Sequence, residues 1–223
     1  NLFGAVKLYS AARKKGVQPI IGADVWIEPE ESGKTPTRLL LLIQNRQGYL
    51  RLCELLGEAW TAPGQRSHAW LHWASLAANN AGLICLSGAD LGSIGQALIN
   101  GDAAKAEAQA TRLAETFPGR FYIELQRAGH PTNETHIRGA VPLAAKLGLP
   151  VVATHPIQFS TPDDFEAHEA RTCIAEGETL GNPRRIKRFT REQYFKTGAE
   201  MQALFADIPS ALANTVAIAR RCA

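Results

Sequence analysis

Six histidines and twenty-one carboxylates give this chain the material for metal or acid–base chemistry, but few of them stand where a fold would gather them. In a sheet of parallel strands, the residues that follow each strand share one end, where ligands and metals are usually handled. Here those residues are Asp24 after a first apolar run, Gln44 and Asn45 after a second, and Ser87 to Asp90 after a third. Glu124, Gln126 and Arg127 end a fourth run, and Thr154, His155 and Gln158 a fifth. A metal hydrolase needs three or more His, Asp or Glu side chains converging, because the cation must be neutralised and oriented. Only Asp24, Glu124 and His155 qualify. Against that reading, Asp24 can cap a turn or pair with a Lys or Arg, Glu124 can face the sheet wall, and His155 before Pro156 can be a hydrogen-bonded loop residue. The plainer reading carries more weight.

The remaining histidines follow the same logic. His168 lies four residues after Asp164 in a helical stretch, so a packed histidine paired with that aspartate is expected. His68 and His72 share the i, i+4 spacing of a zinc helix but lack the Glu of H-E-x-x-H, which favours a surface helix. The run Pro183-Arg184-Arg185-Ile186-Lys187-Arg188 could meet phosphates, yet it has no interleaved aromatics and reads as a solvated loop. No Ser-His-Asp or Cys-His arrangement, G-x-G-x-x-G or Walker A loop is present.

The elements that must hold these residues are legible from periodicity. Phe3, Val6, Leu8, Tyr9 and Ala12 form a helical stripe closed by Gly16. Strands are expected at Pro19 to Trp26, Arg38 to Ile43, Gly82 to Leu86, Phe121 to Gln126 and Pro150 to Thr154, each nearly continuously apolar as in a sheet covered on both faces. A loop fills Glu28 to Thr37. Helices are expected from Gln47 to Trp60, from His68 to Ala77 after a break at Pro63-Gly64-Gln65-Arg66, and from a cap at Asp102 to Pro118-Gly119. A helix from Asn133 to Lys146 contains Pro142, which should kink or break it. After the fifth strand the chain reads as helical to its end, interrupted by a loop from Gly177 to Lys187. Strands alternating with helices give an α/β fold with a parallel sheet, either doubly wound or part of a barrel.

Composition sets the class. A chain of 223 residues with 45% hydrophobic and 20% charged residues can bury a core as one globular domain. The net charge of +3 is weak support for a polyanionic partner. No apolar run approaches the roughly 20 residues of a membrane helix, so no membrane partner is expected. The four scattered cysteines (Cys53, Cys85, Cys173, Cys222) lack a C-x-x-C pair and fit a reducing cytoplasm. The opening Asn1-Leu2-Phe3-Gly4, without Met, reads as the start of a fragment.

Several segments together resemble the PHP (polymerase and histidinol phosphatase) domain at the N-terminus of bacterial DNA polymerase III alpha subunits. Asn1-Leu2-Phe3-Gly4-Ala5-Val6-Lys7-Leu8-Tyr9 is similar to the stretch after that family's T-D-x-x-N motif. Gly16-Val17-Gln18-Pro19-Ile20-Ile21-Gly22-Ala23-Asp24 matches its G-x-x-P-I-x-G-x-[ED]. Leu149-Pro150-Val151-Val152-Ala153-Thr154 and Asp164-Phe165-Glu166-Ala167-His168-Glu169 match the surroundings of its last metal motif. Phe205-Ala206-Asp207-Ile208-Pro209-Ser210-Ala211-Leu212-Ala213-Asn214-Thr215 resembles the helix leading towards the polymerase core.

The resemblance implies a distorted (β/α)7 barrel with a metal cluster at the strand carboxyl ends. The five strands read here and two that would precede Asn1 make seven, so the chain is identified as an N-terminally truncated member: residues 1–206 a partial barrel, 207–223 the outgoing helix. The family's H-x-H motif and an Asp and a His would lie upstream of Asn1. Its Glu falls on Asp24, the residue after L-S-G on Ala89, the His after the fourth strand on Ala128, and its D-x-H on Pro156 and Gln158, beside His155. These are vestigial metal-site positions, with no catalytic residue and no cofactor implied. The expected role is a metal-free scaffold within a DNA-directed DNA polymerase (a nucleotidyltransferase of DNA replication) whose catalytic carboxylates lie beyond Ala223. Implied partners are the rest of that chain, a 3′–5′ exonuclease subunit, and DNA through the parent polymerase. The alternative is a residual Zn or Mn site serving a phosphoesterase, pyrophosphatase or proofreading exonuclease. A nucleic-acid module built on Arg184, Arg185, Lys187 and Arg188 ranks third.

Overall fold

The computed structural model describes residues 2–29, 35–62 and 69–222. Residues 30–34 of the expected loop, the Pro63-Gly64-Gln65-Arg66 break and His68 lie outside them. In chain order the elements are α1 (Ala5–Lys14), β1 (Gly22–Ile27), β2 (Thr37–Ile43), α2 (Arg46–Thr61), β3 (Trp70–Leu71), α3 (Trp73–Ala78), β4 (Leu83–Leu86), α4 (Ser93–Ile99), α5 (Ala103–Thr116), β5 (Phe121–Gln126), α6 (Pro131–Leu147), β6 (Val151–Thr154), α7 (Phe165–Glu176), α8 (Gly198–Leu204) and α9 (Pro209–Arg221). The strands form one open sheet in the order β3-β1-β2-β4-β5-β6. An α/β barrel-like fold of the expected kind is present.

The sheet is mixed, which corrects the expectation of a parallel one. β2 runs antiparallel to both β1 and β4, while β1–β3, β4–β5 and β5–β6 are parallel. The cause is the β1–β2 connection: a parallel return needs a crossover of a dozen or more residues, usually a helix, and residues 28–36 are too few. Reversal brings the first residues of β2 to the carboxyl end of its neighbours. Asp24 then stands opposite Leu40, and Trp26 opposite Arg38.

Alternation divides the sheet into two faces. Val25, Leu39, Leu41, Cys85, Ile123, Leu125 and Ala153 pack with Leu52, Leu55, Ile94, Ala110, Leu113, Ile137 and Ala140 of the helices, forming the main core. The other face holds Ile84, Leu86, Tyr122 and Val152 under Ile218 and Cys222 at the end of α9, with Leu40 and Leu42 at its margin. Farther along each strand that second face turns polar, carrying Asp24, Arg38, Glu124, Gln126 and Thr154.

Several local expectations change. α1 buries none of its residues, and Val6, Leu8 and Tyr9 of its stripe are exposed; periodicity reports a helix but not what covers it. The segment before α3 is the short strand β3, and His72 precedes α3 and meets Glu28 at 2.6 Å. α6 runs through Pro142 as one helix, because Pro142 lies on its exposed side, where water can take the carbonyl the ring leaves unpaired. The loop after α7 extends to Thr197 and joins the sheet end through a bridge between Phe159 and Tyr194.

Candidate functional site at the strand ends

The end of β5 places a carboxylate where none would be stable without partners. Phe121, Ile123 and Leu125 face the main core, so Glu124 and Gln126 must face the other way. Glu124 is fully buried there. Its Oε1 accepts from Gln126 Nε2 at 3.0 Å and from the Thr154 hydroxyl; its Oε2 accepts from the Gly88 amide at 3.1 Å and from Arg38 Nη1 at 3.4 Å. A carboxylate has about four acceptor positions, and all four are used. The Glu124 amide donates to Ser87 Oγ at 2.9 Å.

Arg38 links this buried group to Asp24. Its Nε and Nη2 lie 2.7 and 2.6 Å from Asp24 Oδ1. The arginine side chain is 12% exposed, Asp24 58% and Glu124 0%. Burial works against the charge on Arg38, but Glu124 and then Asp24 outweigh it and hold the guanidinium above its ordinary pKa. The expectation that Asp24 pairs with a Lys or Arg is met.

The turn after β4 closes the cluster. Gly88 is left-handed at φ 82°, and Ala89 follows at φ 50°, buried. Asp90 next to them accepts from Thr132 Oγ1 at 2.6 Å and Asn133 Nδ2 at 3.2 Å.

The other expected positions gather beneath a strap of chain, residues 190–194. Ala128 is buried; its amide donates to Asn133 Oδ1 at 2.8 Å and its carbonyl accepts from the Thr190 hydroxyl. His155 Nε2 lies 2.7 Å from the Glu192 carbonyl oxygen, and burial lowers the histidine pKa. The Pro156 carbonyl accepts from Gln193 Nε2 at 3.0 Å, and the exposed Gln158 donates its amide to the Gln193 carbonyl at 2.8 Å. The structure thus sorts the expected residues into two groups: Asp24 and Glu124 bridged by Arg38, and Ala128, His155, Pro156 and Gln158 under the strap. Among the described residues, no three His, Cys, Asp or Glu side chains are grouped to hold a metal ion.

His168 is packed as expected, between Phe159 and Phe189, but its ring nitrogen faces Arg171 at 3.2 Å rather than Asp164. Asp164 turns back to cap Thr161 instead. Sequence reading missed Arg38 and the strap. Arg38 had one signal: in a β1–β2 hairpin, the polar residue opening the second apolar run must lie diagonal to Asp24.

A sequence profile of the PHP domain matches residues 1–128. The chain belongs to the PHP domain family. This PHP domain is similar over its whole length to DNA polymerase III subunit alpha of Pseudomonas aeruginosa (45% identical), of Neisseria meningitidis serogroup A (47%) and of Escherichia coli K12 (40%). It spans about a fifth of the length of these relatives, 19 to 20%. No helix among the described residues of the PHP domain is long and apolar enough to cross a membrane.

Proposed function

We propose that this PHP domain is a metal-free structural part of a replicative DNA polymerase alpha subunit, supporting the polymerase core and carrying a docking surface for the 3′–5′ exonuclease subunit. The whole chain would extend DNA with carboxylates outside this segment, in the cytoplasm. Residues 207–223 would lead towards that core from the barrel of residues 1–206. The names of the relatives support the parent protein, and the saturation of Glu124 supports the metal-free role. A metal ligand must keep a lone pair for the cation, and both Glu124 oxygens are occupied by Gly88, Gln126, Thr154 and Arg38. The residues in hand therefore do not fit the metal cluster that the fold family implies. Asp24 is held by Arg38, and Ala89, Ala128 and Pro156 have no donor side chain. Gln158 offers only a neutral amide.

Metal content of the full-length chain, a phosphodiesterase assay with Zn2+ or Mn2+, and co-purification with the exonuclease subunit test this reading. The expected results are substoichiometric metal, no turnover, and a stable complex. Stoichiometric Zn or Mn with turnover would replace the scaffold by a phosphoesterase.

A further inference from the structure

A carboxylate withdrawn from water needs both hydrogen bonds and a counter-charge in place of its hydration. At Glu124 the Gly88 amide, the Gln126 amide and the Thr154 hydroxyl supply hydrogen bonds but no net charge. Arg38 supplies the charge, reaching Glu124 with one nitrogen and Asp24 with two others. It sits on β2 and thereby joins β1, β5 and the turn after β4.

Its place is built into the backbone. A Cβ on Gly88 would come within 2.0 Å of the Arg38 carbonyl oxygen, and one on Gly92 within 3.2 Å. The turn closes on β2 because both residues are glycine, and the closure aims the Gly88 amide at Glu124. Nothing in this arrangement depends on a ligand from outside.

We infer that Arg38 is the resident cation of this cluster, a guanidinium that balances the buried charge of Glu124, pairs with the solvated Asp24 and fastens three strands without a bound metal ion. The inference deepens the metal-free reading above by naming what balances the charge. It also explains why Asp24 is tolerated beside Glu124: like charges at one strand end are costly unless a cation sits between them.

Hydrogen exchange in the full-length chain reads the cluster locally, through the Gly88 and Glu124 amides. Arg38→Gln should speed their exchange by at least about tenfold, since breaking a buried pair leaves a charge uncompensated. Adding Glu124→Gln to Arg38→Gln should restore slow exchange, because the buried charge is gone and the remaining Asp24 is solvated. Arg38→Lys should keep most of the protection. Exchange at the wild-type rate in Arg38→Gln, or a double variant no better protected than the single one, would overturn the inference. These outcomes are separable from the metal-free reading, which falls instead if the wild-type chain purifies with stoichiometric Zn or Mn.

Discussion

Arg127 grips Asp207, 80 residues away in sequence, with two parallel bonds, Nη1 to Oδ1 at 2.6 Å and Nη2 to Oδ2 at 2.9 Å. The same guanidinium donates to the Leu204 carbonyl at 2.7 Å and to Glu134 at 2.8 Å. One side chain thus ties the loop after β5 to α6 and to the turn between α8 and α9. Asp207 is 59% exposed, so screening discounts the charge, and Arg127→Ala should cost about 1 kcal/mol. The hydrogen bonds from Arg127 hold the Asp207 carboxyl below its ordinary 3.8. A lowered carboxyl pKa adds stability above the ordinary value, which is lost as pH falls through the folded one. Denaturant unfolding at a series of acidic pH values should therefore show wild type losing more stability below pH 3.8 than Arg127→Ala does.

The start of α2 rests on another contact without slack. Asn45 Oδ1 caps the helix by accepting from the Gly48 amide at 3.1 Å, and Gly82 crosses directly above at φ 73°. A Cβ on Gly48 would meet the Gly82 carbonyl oxygen at 1.9 Å and its carbon at 2.5 Å, so backbone must move. Gly48→Ala, normally helix-favouring, should instead destabilise by about 2 kcal/mol or more. Gly57→Ala in the same helix meets nothing within 4 Å and should be neutral or slightly stabilising. Thermal unfolding of the two variants side by side checks the contrast.

Gln193 pins the strap over the strand ends. Buried at 3% exposure, its side chain donates to the Pro156 carbonyl at 3.0 Å and accepts from the Thr190 amide at 2.9 Å. Gln193→Ala leaves both partners without their bond, at about 1–3 kcal/mol. Hydrogen exchange should rise at the Thr190 and Gln158 amides and stay unchanged in β1.

Much of the fold was readable because it follows from alternation and punctuation. Phe121 to Gln126 matches β5 in full, Gly16 ends α1 at φ 71°, and Asp102 caps α5 by accepting from the Lys105 amide at 2.9 Å. Strand direction was not readable from composition, since an apolar run looks the same either way; the short β1–β2 connection carried that information. The basic run is solvated at Arg184, Lys187 and Arg188, as read, but not at Arg185: its side chain is 4% exposed against Glu169, while Arg188 meets Glu176 at the surface, itself 59% exposed. Glu169 precedes Arg185 by 16 residues and Glu176 precedes Arg188 by 12, separations that no local pattern encodes. Arg38 was hidden for the same reason: its meaning lies in Glu124, 86 residues away.

His136 offers a pH readout of the packed helix beside the cluster. It is 1% exposed on the inner side of α6, and its Nε2 has no hydrogen-bond partner. Burial lowers its pKa from 6.5 to about 4, with Asp90 opposing only in part. In the unfolded chain the ring takes up a proton near 6.5, and in the folded chain only near 4, so the unfolded state binds more protons between those values. Stability is then full above pH 6.5, falls as pH drops towards 4, and changes no further from this group below that. The shift corresponds to about 3 kcal/mol at most. His136→Gln removes the titration, and His136→Phe removes it while filling the space. Urea unfolding between those pH limits should show a flatter dependence in both variants than in wild type, whatever their absolute stability. Equal slopes in all three would mean that His136 is reached by water and protonates in place.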